Sequence, residues 1–396
     1  MGDSPSRHGR GTGGVRAVLL AAAAIFLLAG CATRGPRGPR APRRLALSPA
    51  PAVPAATLSD ADAVLAAFFA AYGIDLPPEE RADILPDGVV QGRLDRAALL
   101  RAALKRNRIA ATLKADPDGL REAFGRNRPL LLYLPGGRHG SVRLAMPADW
   151  DPESGRIGLV VGDGPLLEIP ADRFFGMRDA LSHSALCLST PRGLDRLPIP
   201  GTERTRLLAD YHAARGDNRR AAALYGRLLA DAAAPELAVH ALCGRADSLV
   251  RMGEPGAAIP LYRQALELDP ENPRLHNNLA CALLQAGIDP AGALDHADTA
   301  CRIAPSNPFY LETAGAARIA AGDCDTAAAT LERAWSRARD RAPDVQAAIC
   351  DQLARAWLCA GRPDLARQVA SHRAAAWPAI PFPGDLADAL PDLARP

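Results

Sequence analysis

The sequence predicts an α+β domain followed by an all-α solenoid, and three observations predict it. Five Gly–Ala couplets recur through the second half at intervals of 34 to 39 residues: Gly216/Ala221, Gly253/Ala258, Gly287/Ala293, Gly322/Ala327 and Gly361/Ala366. Between about residues 58 and 192 the pattern is helical periodicity first and short apolar runs bounded by Gly, Pro and Asp afterwards. Ahead of both stands a basic, then apolar, then Pro-rich leader. A repeat of this period is the mark of stacked helix–turn–helix units, each unable to cover its own apolar face. Helices followed by strands in one stretch predict an α+β layout with helices packed on an antiparallel sheet.

The leader opens the chain. Arg7, Arg10 and Arg16 precede the apolar run from Ala17 to Leu28, and Leu28-Ala29-Gly30-Cys31 follows. A basic start, a short apolar core and small residues at its end make a secretory signal over residues 1–30. The run is too short to span a bilayer comfortably, and no second run of about twenty apolar residues exists. Leu-Ala-Gly-Cys resembles the bacterial lipobox. The resemblance implies that Cys31 is diacylated as the mature N-terminus. It also implies that Ala32 directs sorting to the outer membrane, facing the periplasm. Residues 31–57 then carry Arg34, Arg37, Arg40, Arg43 and Arg44 among six prolines and no acid, an extended tether from membrane to first domain. The net charge of +3 is owed to leader and tether, so the remainder is acidic and lacks the basic face of a nucleic-acid binder. Seven cysteines remain after Cys31, with no CxxC and no metal-like spacing. They read chiefly as small core residues, with Cys301–Cys324 or Cys281–Cys301 as conceivable disulfides.

In residues 58–192, Ser59 or Asp60 caps a helix through Val64, Leu65, Phe68, Phe69 and Tyr72 to Gly73. A second helix runs from Leu94 through Leu104 and a third from Pro117 to Phe124. Strands follow at Leu130–Leu134, Val142–Met146, Ile157–Val161 and Leu166–Ile169, and Ser184–Leu188 closes the sheet. With Ala63-Val64-Leu65, Leu94 to Ala110, Leu120 to Pro129, His139 opening a strand and Asp163 ending another, this order resembles papain-like cysteine peptidases of the bacteriocin-processing, double-glycine-leader type. The resemblance implies a Cys at the start of the first helix, an upstream Gln for the oxyanion, a His and an Asp. Here the Cys position falls on or beside Asp60, and no Cys lies between Cys31 and Cys187. The sole Gln of the domain is Gln91. A carboxylate on a helix N-terminus is a good cap but a poor nucleophile toward a peptide carbonyl. His139, Asp163 and Asp60 therefore read as vestiges of a lost catalytic site, and no enzyme activity is expected.

Residues 202–376 resemble tetratricopeptide repeats, about five of them. The second unit carries Ala246, Leu249, Gly253, Ala258, Tyr262, Ala265 and Pro270 at that pattern's places, and the third and fourth follow it closely. Each glycine ends one helix in a left-handed turn, and each alanine lets the second helix lie close to the first. The resemblance implies a concave groove on the first helix of each unit. Its lining would be Arg206, Asp210, His240, Asp247, Arg251, Arg274, Asn277, Gln285, Glu312, Asp351 and Arg355, a two-signed surface for a protein or peptide ligand. Residues 377–396 are Pro-rich, with Trp377, Ile380 and Phe382 placed to cover the last repeat. No cofactor and no metal are expected, since no Walker loop, Rossmann fingerprint or zinc spacing occurs. The reading is thus a lipid-anchored binding scaffold of the bacterial envelope. Its alternatives are an active peptidase with repeat-presented substrate and an assembly factor for an envelope complex.

Overall fold

The computed structural model describes residues 45–46, 60–85, 95–135, 142–162, 165–179 and 184–391. The leader, most of the tether, Cys31, Gln91, His139 and Asp163 lie outside the described residues. The chain divides into two compact units, the second beginning at Gly201. Among the described residues, no helix is long and apolar enough to cross a membrane.

The first unit contains a short strand β1 (Leu45–Ala46), helices α1 (Asp60–Ala70), α2 (Pro78–Ile84) and α3 (Arg96–Lys105), strand β2 (Ile109–Lys114) and helix α4 (Pro117–Gly125). Then come β3 (Leu131–Pro135), β4 (Val142–Asp151), β5 (Arg156–Val160), β6 (Leu167–Pro170), α5 (Ala171–Asp179) and β7 (Ser184–Ser189). The strands pair antiparallel in the order β2-β7-β3-β4-β5-β6, with β1 beside β4. Val64, Leu65, Phe68 and Phe69 of α1 are fully buried. They pack with Leu99, Ala102 and Ala103 of α3 against Ala110, Leu131, Leu144, Met146 and Leu188 of the sheet. The Tyr72 hydroxyl ties α1 to that sheet, donating to Pro129 O at 2.8 Å and accepting from Leu188 N at 3.0 Å.

Helix α1 begins at Asp60, and Ser59, the other candidate cap, lies outside the described residues. Two details differ from expectation. The second helix starts only at Arg96, because Asp95 turns its carboxylate onto the backbone N–H of Ala97 and Ala98. It stops at Lys105, and the chain turns through Asn107 at φ 57 into β2. Finally, β7 does not close the sheet. It lies inside it, between β2 and β3, and buries Cys187 completely.

The second unit is five antiparallel helix pairs: α6 (Gly201–Ala214) with α7 (Asn218–Ala230), α8 (Pro235–Arg251) with α9 (Pro255–Leu268), α10 (Pro273–Ala286) with α11 (Pro290–Ile303), α12 (Pro308–Ala320) with α13 (Cys324–Arg337), and α14 (Pro343–Cys359) with α15 (Pro363–Ala376). All five couplet glycines are left-handed, with φ from 66 to 81°. All five couplet alanines are completely buried. Four residues beyond each alanine, Tyr225, Tyr262, Ala297, Leu331 and Ala370 fill the space between helices and are buried too. Proline at the first turn of seven of these ten helices starts them at no cost in hydrogen bonds. Gly244 of α8 is a second kind of glycine: a Cβ there would run into the ring of Tyr225.

The tail continues the pattern in miniature. A short helix, α16 (Gly384–Ala389), lies where a sixth first helix would begin, and Leu386 and Leu390 pack on Ala354, Ala366 and Ala370. Arg373, which is 2% exposed, fixes the turn into it, donating to Asp351 Oδ1 at 3.0 Å, Ile380 O at 2.9 Å and Pro381 O at 2.6 Å.

The cysteines pair otherwise than the sequence suggested. Cys324, at the start of α13, is disulfide-bonded to Cys359, the last residue of α14, across a Cα–Cα distance of 5.5 Å. Cys281 and Cys301 are half-buried free thiols, and Cys187, Cys243 and Cys350 are buried ones. The tight turns put the start of one second helix beside the end of the next first helix, which brings the 324/359 pair together.

Closing a 35-residue separation should make the disulfide worth roughly 3–4 kcal/mol. Paired Cys324→Ala and Cys359→Ala substitutions are expected to lower the thermal midpoint by several degrees, with hydrogen exchange rising chiefly in α13 to α15. Unchanged exchange there would exclude the bond in the native chain. Gly244→Ala is expected to cost about 1–3 kcal/mol in chemical denaturation, since the Tyr225 ring has nowhere to retreat.

Candidate functional site

The first helices α6, α8, α10, α12 and α14 lie side by side, and polar side chains join α6 to α8, α8 to α10 and α10 to α12. Asp210 stands eleven residues before Ala221, and Asp247 eleven before Ala258. Asp210 accepts from the hydroxyl of Tyr225 in its own repeat at 2.7 Å. It also meets Nε2 of His240, on the next first helix, at 2.8 Å, and Arg206 at 2.9 Å. Asp247 repeats the arrangement one unit on, accepting from Tyr262 at 2.6 Å, Arg274 at 3.0 Å and Asn278 at 3.0 Å. In the third repeat Cys281 takes the place of the aspartate, with its Sγ 3.3 Å from Thr313 Oγ1 on the following first helix. His240 and Arg274 occupy equivalent places, as do Asn278 and Thr313.

Burial opposes the charge on Asp210, but hydrogen bonds from His240 and Tyr225 and the charge of Arg206 outweigh it and hold the carboxyl below its usual range. Its contribution to stability is therefore present above the ordinary carboxylate range and is lost as the pH falls through the lowered value. Tyr225 and Tyr262 are pushed up, first by burial and then by the same carboxylates, so both remain hydroxyl donors. Burial, and then Asp247, push the Cys243 thiol up to about 12.

Several residues expected to line a groove are thus committed to the protein itself. Arg206 bridges Glu203 and Asp210. Asp210 and Asp247 each receive donors from two helices besides their own. Asp351 is buried and bonded to Arg373, with burial holding its carboxyl above the usual range despite that partner. Arg355 makes a two-pronged bond to Asp385 of α16, at 2.6 and 2.9 Å. The pairing could be foreseen only by aligning one repeat on the next and reading the place of the cation against that of the preceding aspartate.

What stays open lies beside the ladder. A pocket of about 260 Å³ is formed by α8 and its neighbours, with Glu236, His240, Asp247, Arg251 and Arg274 among its walls. Arg251 is exposed and held only by a 3.4 Å bond to Ala213 O; Gln285 is exposed as well. Farther along, Asn277 and Glu312 are part-buried on α10 and α12. Among the described residues, no group of three metal-ligating side chains is present.

In the first unit, a smaller pocket of about 180 Å³ opens between α3 and the sheet, walled mainly by Leu131, Leu132, Tyr133, Leu144 and Leu186. Arg96 crosses it to Thr112 at 3.3 Å. Burial pushes the Cys187 thiol up to about 12. A thiol so placed is neutral and shielded, a packing residue and not a nucleophile.

Comparisons with known proteins concern the repeats. The family profile for the tetratricopeptide repeat matches residues 243–308. Among solved structures, the chain is similar to MamA at 17% identity and a TM-score of 0.37, over 46% of this chain and 96% of that one. For MamA from Desulfovibrio magneticus RS-1 the figures are 13% and 0.39, over 45% and 96%. For YrrB, a TPR protein with an unusual peptide-binding site, they are 18% and 0.35, over 48% and 88%. A search of curated proteins finds no match.

Asp247→Ala is expected to cost about 2–4 kcal/mol in urea unfolding, because it strands Tyr262, Asn278 and Arg274 without their acceptor. Tyr262→Phe, which removes one donor and keeps the ring, should cost about 1 kcal/mol. Similar losses for the two would mean that the carboxylate is not the hub. With the family profile and five helix pairs turned by left-handed glycines, the C-terminal part of the chain carries tetratricopeptide repeats.

Proposed function

We propose that the protein is a lipid-anchored scaffold of the bacterial envelope that binds a protein or peptide segment along the first helices of its repeats. The observation that carries the reading is the open pocket beside the ladder. There Arg251, Glu236 and the outer edge of Arg274 face solvent on a surface whose other charges are already neutralised. A fixed, mixed-sign surface on a rigid array binds with little ordering cost on its own side. The lipobox-like Leu28-Ala29-Gly30-Cys31 supports attachment through Cys31, and an outer-membrane site facing the periplasm follows from Ala32. The Cys324–Cys359 disulfide fits an oxidising compartment outside the cytoplasm.

For the first unit we propose a papain-like ancestry with the chemistry lost. Support comes from the run of helices before an antiparallel sheet, from the absence of any cysteine at the start of α1, and from the inert Cys187. His139, Asp163 and Asp60 are then remnants, and the unit is a second binding surface.

Two measurements test the scaffold. A photo-crosslinking residue at position 251 or 285 of the full chain, expressed in a bacterial envelope, should trap a protein partner that the same residue at Glu267, on a second helix, does not. Equal trapping from both faces would sink the groove. Separately, Cys31→Ser should move the chain from the membrane to the soluble fraction. The lost chemistry is tested by incubating the purified chain with unfolded casein, where no cleavage is expected. Cleavage abolished by His139→Ala would show an enzyme.

A further inference from the structure

The carboxylates of the repeat array are supplied with donors unevenly. Asp210, Asp247, Asp351 and Asp385 each accept from an arginine, a histidine or both. Glu312 of α12 accepts from nothing among the described residues. It is mostly covered, and the charge that acts on it is of the same sign, Asp351 on α14; burial first, and Asp351 second, push its carboxyl up to about 7. Burying a carboxylate without a cation is costly, and Glu312 is held so on a first helix, the surface proposed above to take a segment.

A second group nearby has the same deficit. Asn277 stands in α10 where Glu312 stands in α12 and Asp351 in α14, fifteen residues before the couplet alanine once the extra residue of the third turn is allowed for. Its Nδ2 reaches Asn278 Oδ1 at 3.4 Å and Cys281 Sγ at 3.9 Å, while its Oδ1 is buried with no donor. The space between is bridged by Cys281, whose Sγ lies 3.3 Å from the hydroxyl of Thr313, the residue after Glu312. That hydroxyl donates to Phe309 O at 3.1 Å, so the thiol donates to it and is spent. What remains is two acceptors, one of them acidic, and no donor. With no third metal-ligating side chain in the cluster, the fitting cation is an ammonium or guanidinium, which brings several N–H donors at once.

We propose that α10 and α12 form a subsite for a lysine or arginine side chain of the bound segment, received by Glu312 and Asn277. This rests on the groove reading above and adds to it the chemistry of the partner: an extended segment with a basic residue at one fixed place. Ionised Glu312 is the binding form, so affinity rises as the pH rises through its titration, unlike that of a neutral contact.

The test selects short random peptides by phage display on the detergent-purified full chain at about pH 8. The selected peptides are expected to share one lysine or arginine. Glu312→Gln should weaken the best of them about tenfold or more, replacement of the shared base by norleucine should do the same, and the two losses should not add. Thermal unfolding of Glu312→Gln checks that the variant folds, and it should gain stability above about pH 7. Should it not fold, the pH profile of the wild type separates the cases: only the basic peptide should bind more tightly between about pH 6 and 8. Peptides that lack a shared base, or that ignore Glu312→Gln yet are lost on Arg251→Glu, would overturn the subsite and leave the groove. No selected peptide, or peptides indifferent to both substitutions, would overturn both.

Discussion

The array depends on how closely the two helices of each repeat approach. That distance is set by five completely buried alanines, Ala221, Ala258, Ala293, Ala327 and Ala366. A larger side chain at any of them would force the pair apart and displace every later repeat, because a solenoid passes its geometry from neighbour to neighbour. The glycine five or six residues earlier is the other half of the device. Its left-handed backbone reverses the chain in so few residues that the alanine meets the preceding helix at once. What varies is the filler four residues beyond, tyrosine in the first two repeats and leucine or alanine afterwards. Those two tyrosines bring a hydroxyl into the interior, and the polar ladder grows from them.

The ladder joins repeats as the alanines join helices. A carboxylate that collects a phenol from its own repeat and a cation from the next makes the angle between units a matter of hydrogen-bond geometry as well as packing. It is complete between the first three repeats, thins to a thiol and a hydroxyl at Cys281 and Thr313, and returns with opposite polarity at Arg355 and Asp385. The middle of the array is therefore where polar groups are left over, at Asn277 and Glu312.

Legibility in the sequence followed the range of the forces involved. The couplets Gly216/Ala221 to Gly361/Ala366 could be read because a left-handed turn and a close contact each demand one residue type at one place. Helix α1 was legible from Val64, Leu65, Phe68 and Phe69 for the same reason. Strand β2 was not, since Ile109-Ala110-Ala111-Thr112 is too short and too alanine-rich to show a period of two. Nor was the insertion of β7 between β2 and β3, a choice of neighbours made across more than seventy residues. The residues expected to line a groove lie on the first helices of the repeats, but their partners were invisible. Whether Asp351 faces a ligand or Arg373 is decided by a side chain from another helix.

The tail gives the array a direction. A stack of identical units has two open ends, each an apolar face suited to its like, and nothing in the repeat itself says where to stop. Helix α16 occupies the last such face with Leu386 and Leu390 and sets Asp385 against Arg355 where a following repeat would have set a cation against an acid. The apolar face of the fifth repeat is thereby covered from within the same chain.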